Sequence, residues 1–325
     1  MNILMLSVGR RNELLKIIKK SMNKNSKLVA TDMSPLAPAL YEADRQYLVP
    51  QIDNSNYIDI ITEICITEKI DVITTLIDPE IQVLAENKKR FEELGVVVLT
   101  PQVDTANICY DKYKMFEYVN NVGIQTVKTW NSLNEFVLDM NLGNFNFPVF
   151  VKPRKGSGSV GARKIENMKE LKNAMDINSD LIIQEYMQGI DLDVDVYVDT
   201  ISNEVISIFL KRKIETKIGG ANKTISFKDE KLFDIIKNIC KEFEFKGPVD
   251  MDFFYQDGKY YLSEINPRFG GAYLNAYGAG VDFVKYIENN VKKQKNKPSI
   301  GEYEENIVMM MFDSVVIKKE NELIR

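Results

Sequence analysis

Val249-Asp250-Met251-Asp252-Phe253-Phe254, a turn at Asp257-Gly258, and then Tyr260-Tyr261-Leu262-Ser263-Glu264-Ile265-Asn266-Pro267-Arg268 form the stretch on which the reading of this chain depends. Asp-Gly between two alternating segments is a strong hairpin signal, because both residues tolerate the positive φ of a two-residue turn. Period-two alternation then puts Asp250 and Asp252 on one face of the first strand, and Glu264 and Asn266 on one face of the second. Counting outward from the turn brings Asp252 and Glu264 within one residue of opposition. Like charges facing each other across a sheet repel unless a cation lies between them. Oxygen donors from Asp252, Glu264 and Asn266 suit Mg²⁺, which completes its octahedron with phosphates and water. The same pattern also fits a solvated hairpin face.

Upstream, Phe147-Pro-Val-Phe-Val-Lys152-Pro-Arg154-Lys155-Gly156-Ser157-Gly158-Ser-Val-Gly161 contains GxGxxG. A dinucleotide fingerprint opens a helix, whereas Ala162-Ile165 reads as a second strand. A P-loop is excluded too, since Ala162 and Arg163 stand where Lys and Ser/Thr belong. What remains is a glycine-rich hairpin beside Lys152, Arg154 and Lys155, whose backbone amides can close over phosphates or simply make a surface turn. At Asp111-Lys112 an N-cap is followed by a lysine that opposes the helix dipole, an unfavourable placement unless the lysine serves a ligand. Leu181-Ile-Ile-Gln-Glu185-Tyr-Met187 is an apolar strand with a polar end, followed directly by Gly189-Ile190-Asp191.

The 325 residues allow two or three domains at ~100 to 200 residues each. With 45% hydrophobic and 27% charged residues the chain can build a core. A net charge of −5 provides no basic field for nucleic acid. The absence of histidine removes Ser-His and Cys-His nucleophile pairs and His-ligated zinc, so chemistry must run on carboxylates, Lys, Arg, metal or backbone. Cys65, Cys109 and Cys240 have no paired spacing, which fits a reducing cytoplasm, and the apolar run at the start is too short for a signal or a membrane span. Short buried strands at Asn2-Ser7, Lys27-Thr31, Asp71-Leu76 and Val96-Leu99 alternate with helical patterns, predicting a parallel-sheet α/β domain. Beyond Asp111 the texture becomes α+β, with direct hairpins and strands at Phe147-Lys152, Leu181-Glu185, Asp193-Val198, Val205-Leu210, Val249-Tyr255, Lys259-Ile265 and Asn306-Phe312.

Taken in order, Asp-Lys, a strand lysine with a glycine-rich hairpin, Gln-Glu-Tyr-Met, Gly-x-Asp, an acidic strand and Glu264-x-Asn266-x-Arg268 resemble the ATP-grasp superfamily, nearest to ligases similar to biotin carboxylase and the carbamoyl-phosphate synthetase large chain. The resemblance covers about 107–312. It implies a Rossmann-like preATP-grasp domain at 1–106, an ATP-grasp lobe with a glycine-rich flap at 107–188, and a C-terminal lobe with the metal site at 189–325. On this resemblance Lys112, Lys152 and the hairpin of Gly156, Ser157, Gly158 and Gly161 hold ATP phosphates, Glu185 and Met187 meet adenine, and Asp191 meets ribose. Asp252, Glu264 and Asn266 are the metal ligands, two Mg²⁺ ions are expected with Mn²⁺ as a substitute, and Arg268 faces the transferred phosphate. One cation of Lys211-Arg212-Lys213 is expected to join it, with Lys211 and Arg212 as the candidates carried forward. The implied activity is ATP-dependent joining of a small-molecule carboxylate to an amine through an acyl-phosphate, without nucleic-acid or membrane partners and with a homodimer left open. Carbamoyl-phosphate synthesis itself is not expected, because it uses two synthetase halves and an ammonia source. A kinase of the same fold and a non-catalytic nucleotide-binding regulator are the alternatives. In the first domain, Arg10, Asp32 and Asp78 are candidate substrate contacts or plain turn and cap residues, and Gly270, Gly271, Gly278 and Gly280 admit a close substrate or make turns.

Overall fold

The computed structural model describes residues 1–156, 161–217 and 220–324. Strands β1 (Ile3–Leu6), β2 (Leu28–Asp32), β3 (Arg45–Leu48), β4 (Val72–Thr75) and β5 (Val97–Val98) form one parallel sheet in the order β3-β2-β1-β4-β5. β1, β2 and β4 are buried along their whole length, which explains their near-continuous apolar runs. The polar strand β3 at the sheet edge escapes a reading by hydrophobic runs, because Arg45-Gln-Tyr-Leu carries little apolar signal. The helical pattern expected over Glu80–Leu94 is two helices, Asp78–Glu86 and Lys88–Glu93, broken at Asn87.

The next four strands, β6 (Thr129–Trp130), β7 (Val149–Pro153), β8 (Arg163–Ile165) and β9 (Leu181–Glu185), make an antiparallel sheet in the order β6-β9-β7-β8. Its own core gathers Trp130, Phe136, Val149, Val151, Leu171 and Ile183. The third sheet is antiparallel and six-stranded, in the order β14-β13-β10-β11-β12-β15. Its members are β10 (Ile190–Val198), β11 (Val205–Lys217), β12 (Gly220–Phe227), β13 (Gly247–Gln256), β14 (Lys259–Asn266) and β15 (Val308–Met310). β12 is absent from a reading of apolar runs because its buried positions include Thr224 and Ser226.

Strand β10 shows why this sheet has two unlike faces. Its even positions, Leu192, Val194 and Val196, enter the main core, each side chain contributing on the order of 1.5–3 kcal/mol by burial. Its odd positions, Asp191, Asp193 and Asp195, therefore share the other face. The main core is continuous between domains: Met5, Leu15 and Leu28 of the N-terminal sheet and its first helix belong to the same cluster as Val194, Phe253, Tyr273 and Phe283.

Candidate active site

The acidic face is assembled by strand register. β13 and β14 pair Asp252 with Glu264 and Asp250 with Asn266, and a β-bulge between Asp252 and Phe253 absorbs the one-residue offset left by counting from the turn. β10 sets Asp193 opposite Asp252 and Asp195 opposite Asp250. β11 then sets Lys211 opposite Asp193. Adjacent carboxylates in this arrangement repel, and lysines answer them. Lys152, at the end of β7 on the neighbouring sheet, donates to Glu264 Oε1 at 2.6 Å. Lys213 bridges Asp252 at 2.6 Å and Asp191 at 2.9 Å. Lys211 is fully buried and lies 2.6 Å from Asp193 Oδ1 while also donating to Asp195.

Protonation follows from burial set against these charges. Burial pushes Glu264 up, but Lys152, Lys112 and Lys213 together outweigh it and hold the carboxyl at about 2. Asp191 is raised to about 6, chiefly by burial and further by Asp252, with Lys213 opposing. Burial, then Asp193 and Asp252, push Asp250 well up. Burial pulls Lys112 down. Lys211 stays protonated, since Asp193 and Asp195 outweigh its burial. A face that mixes strongly ionised and readily protonated carboxylates is typical of sites that bind cations or phosphates.

Arg268 joins this face to the N-terminal domain. Its Nε and Nη2 donate to the two oxygens of Asp78 at 2.8 and 3.2 Å, and its Nη1 reaches Asp250 at 3.3 Å. Asp78 opens the helix after β4, so the C-terminal end of the parallel sheet contributes a counter-charge directly to the hairpin. Arg11, in the turn after β1, stands in the same field: burial and Arg268 lower its pKa, while Asp250 and Asp78 raise it. Among the described residues it has no carboxylate within 4.0 Å. Gly271 leaves room for it, because a Cβ there would lie 2.7 Å from Arg11 Nη1. Gly270 likewise admits Asp195 and Asp250, each with a carboxylate oxygen 2.7 Å from where a Cβ would stand.

The other expected residues are placed as follows. Lys112 begins the helix Lys112–Asn121, capped by Asp111, and its ammonium donates to the Gly156 carbonyl at 2.6 Å. Asp111 is itself held by Arg154 at 2.7 Å. Gly156 and Gly161 both adopt positive φ, whereas Ser157 and Gly158 lie outside the described residues. Glu185 ends β9, half-buried and with its carboxyl pushed up by burial, and Met187 is buried just beyond it. Asn266 donates to Asp250 at 3.4 Å, which leaves its side-chain carbonyl oxygen available as an acceptor.

One reading needs correction. Arg212 is exposed, and strand alternation turns it away from Lys211 and Lys213, so it does not belong to the acidic face. Of the basic triplet it is Lys213 that meets Asp252, and Lys211 is taken up by two aspartates. Asp191, expected at ribose, is engaged by Lys213. Asp32 is occupied as a turn residue, accepting from the amides of Gly9 and Ser34 at 2.8 and 3.0 Å. Asp193, Asp195 and Arg11 were not singled out from sequence; the Asp-Leu-Asp-Val-Asp alternation in β10 is the signal that finds the first two.

The profile of the ATP-grasp domain matches residues 109–272, the span that carries the acidic face, its lysines and Arg268. The chain belongs to the ATP-grasp family. Ahead of this ATP-grasp domain, the PylC-like N-terminal domain profile matches residues 3–99. The sequence is 25% identical over 225 residues to the D-alanine-D-alanine ligase of Helicobacter pylori (strain HPAG1), a match covering 63% of this chain and 63% of that enzyme. It is also 25% identical over 200 residues to the vancomycin/teicoplanin A-type resistance protein VanA of Enterococcus faecium, covering 54% of this chain and 57% of that protein. The chain thus spans less than two thirds of the length of either relative. In fold it is similar to N5-carboxyaminoimidazole synthetase from Staphylococcus aureus complexed with ADP, with TM-score 0.75, 19% identity, and coverage of 95% of this chain and 81% of that one. It is similar as well to the biotin carboxylase domain of Hydrogenobacter thermophilus 2-oxoglutarate carboxylase, with TM-score 0.72, 18% identity, and coverage of 94% and 73%.

Proposed function

We propose that this ATP-grasp protein is an ATP-dependent carboxylate-amine ligase that works through an acyl-phosphate and releases ADP and phosphate. The observation that carries the reading is the Asp252, Glu264 and Asn266 oxygen set on one hairpin face with Lys152 and Lys213 already seated on its carboxylates. A face that holds ammonium groups at 2.6 Å fits hard cations of the Mg²⁺ type through the same oxygens. Mg²⁺ bound there with ATP supplies neutralisation of phosphate charge. Two ions belong to the proposal, with Mn²⁺ able to replace Mg²⁺.

The chain's own residues divide the work. Lys112 and Lys152 hold phosphate oxygens, and Lys152 leaves Glu264 to do so. Arg268 and Lys213 offset charge as the γ-phosphoryl group passes to the substrate carboxylate, forming a carboxyl O–P bond while the bond to the β,γ-bridging oxygen breaks and ADP departs. An amine nitrogen then attacks the acyl carbon, loses a proton and expels phosphate. Asp191, held by Lys213 beside Asp252, is the residue proposed to meet the ribose hydroxyls of ATP. Arg11, without a carboxylate partner, is suited to hold a carboxylate of a substrate at the seam between the domains. The three cysteines are buried free thiols, which suits a reducing cytoplasm. Among the described residues no helix is long and apolar enough to cross a membrane.

The test is ADP formation together with phosphate release from ATP over a matrix of carboxylates and amines. A ligase requires both partners, a kinase transfers phosphate with the first alone, and a regulator shows no turnover with any pair. Glu264→Gln is expected to abolish Mg-ATP turnover with an unchanged circular dichroism spectrum; an unchanged rate removes Glu264 from the metal set.

A further inference from the structure

A cavity of about 400 Å³ lies between the N-terminal sheet and the six-stranded lobe, at the opposite end of β10 from Asp191. The seven residues of β10 that follow Asp191 place it roughly 25 Å from that carboxylate at ~3.3 Å per residue. One wall is the edge strand β5 with Val96 before it, and the other is the Thr200-Ile201 turn that joins β10 to β11. Three lysines, Lys88, Lys246 and Lys293, stand around it.

Their partners are neutral. The buried Lys88 ammonium donates to the Thr100 carbonyl at 2.8 Å. Lys246 donates to the Thr200 carbonyl at 2.9 Å and to the side-chain oxygen of Asn203. Among the described residues none of the three lysines has a carboxylate within 4.0 Å, and Glu92 is the one acid lining the cavity. A buried cation without a counter-charge is costly, and an anion entering the cavity relieves that cost. Burial lowers the pKa of Lys88, with Glu92 and then Glu244 opposing and Lys246 adding to the fall; burial likewise lowers Lys246, against Glu244, Asp199 and Glu92. The edge strand adds a neutral donor. Val97 and Leu99 give their amides inward to Asp71 and Ile73, so the Val98 amide faces the open edge.

We propose that this cavity binds a small organic polyanion, with its acidic groups on Lys88, Lys246 and Lys293 and its carbon frame against Val96, Val98 and Ile201. The shared chemistry is two or more negative charges on a compact body, which a tricarboxylate and a small phosphate compound both satisfy. Such a ligand bridges the edge of the N-terminal sheet and the turn whose two strands carry the opposed Asp193 and Lys211 further along.

The test is calorimetric titration of the full chain with citrate and, separately, with pyrophosphate, for the wild type, Lys152→Ala and Lys246→Met/Lys293→Met. Binding of both probes is expected to weaken by about tenfold or more in the double variant, and citrate binding to stay within about twofold in Lys152→Ala. Preference for citrate over pyrophosphate identifies a carboxylate ligand, and the reverse identifies a phosphate ligand. Absence of heat with both probes up to ~10 mM, equal affinity in the double variant, or loss of citrate binding in Lys152→Ala, which would assign the heat to the phosphate lysines, each overturns the proposal. Lys293 is exposed, so Lys293→Glu gives a charge reversal that leaves the fold intact should the double variant not fold. It is expected to weaken binding as well, and unchanged affinity there counts against the site.

Discussion

Lys152→Ala removes the ammonium that sits 2.6 Å from Glu264, and its effect can be worked from the site. The Glu264 carboxyl is held at about 2 against an ordinary 4.5. At 1.36 kcal/mol per unit that is roughly 3 kcal/mol of native-state stabilisation above the unfolded pKa. Lys112 and Lys213 share in it, and 27% of the Glu264 side chain remains open to solvent, so the portion due to Lys152 is ~1–2 kcal/mol. The sign follows from the depressed pKa. The contribution is complete above about pH 5 and is lost as pH falls from 4.5 towards 2. Urea unfolding at pH 7 should therefore find the variant less stable by that amount, with the deficit shrinking between pH 5 and pH 3. Nucleotide binding should weaken too, but by less than the ~1.5–3 kcal/mol of a charged hydrogen bond, because the wild-type ammonium must first leave Glu264. A variant as stable as the wild type at pH 7, or a deficit that persists undiminished in acid, refutes the reasoning.

Arg268→Ala removes the bidentate counter-charge of the buried Asp78, so a stability loss of ~3–5 kcal/mol is expected in urea unfolding. Where enough folded protein remains at low temperature, turnover should fall by a larger factor than ATP affinity, measured by calorimetry beside kcat; the reverse split would take Arg268 away from the transferring phosphate. Lys213→Met should lower turnover by about a hundredfold, whereas the exposed Arg212→Met should change it by less than about twofold, and equal effects would return Arg212 to the site. Gly189→Ala places a Cβ 2.2 Å from the Tyr255 carbonyl oxygen, so chemical denaturation should show ~2 kcal/mol or more of destabilisation.

What could be read from sequence was whatever rests on alternation and local turn chemistry. The pairing of Asp252 with Glu264 followed from Asp257-Gly258 to within one residue, and the missing residue is a bulge, which carries no sequence mark of its own. The Asp111 cap and the strand before Lys152 were legible for the same reason. Contacts between distant segments were not. Nothing in Asp78-Pro-Glu announces a partner 190 positions later, and nothing near Arg11 points to Gly271. The choice among Lys211, Arg212 and Lys213 required the face of β11, which alternation alone leaves ambiguous until its neighbour is known. β3 and β12 were missed because their buried or paired positions are filled largely by polar residues.

The ion pair between Arg268 and Asp78 bears on how freely this protein's parts can be exchanged. A profile boundary near residue 100 invites the view of interchangeable modules, yet the hairpin arginine is balanced by a carboxylate from the other side of that boundary. A chimera that joins residues 107–325 to a foreign parallel-sheet domain would inherit a buried guanidinium whose bidentate partner is gone. Only a donor with an acidic residue at the first turn after its fourth strand restores the charge balance. Grafting a new acceptor specificity onto this scaffold therefore constrains the graft at Asp78 before any substrate contact is considered.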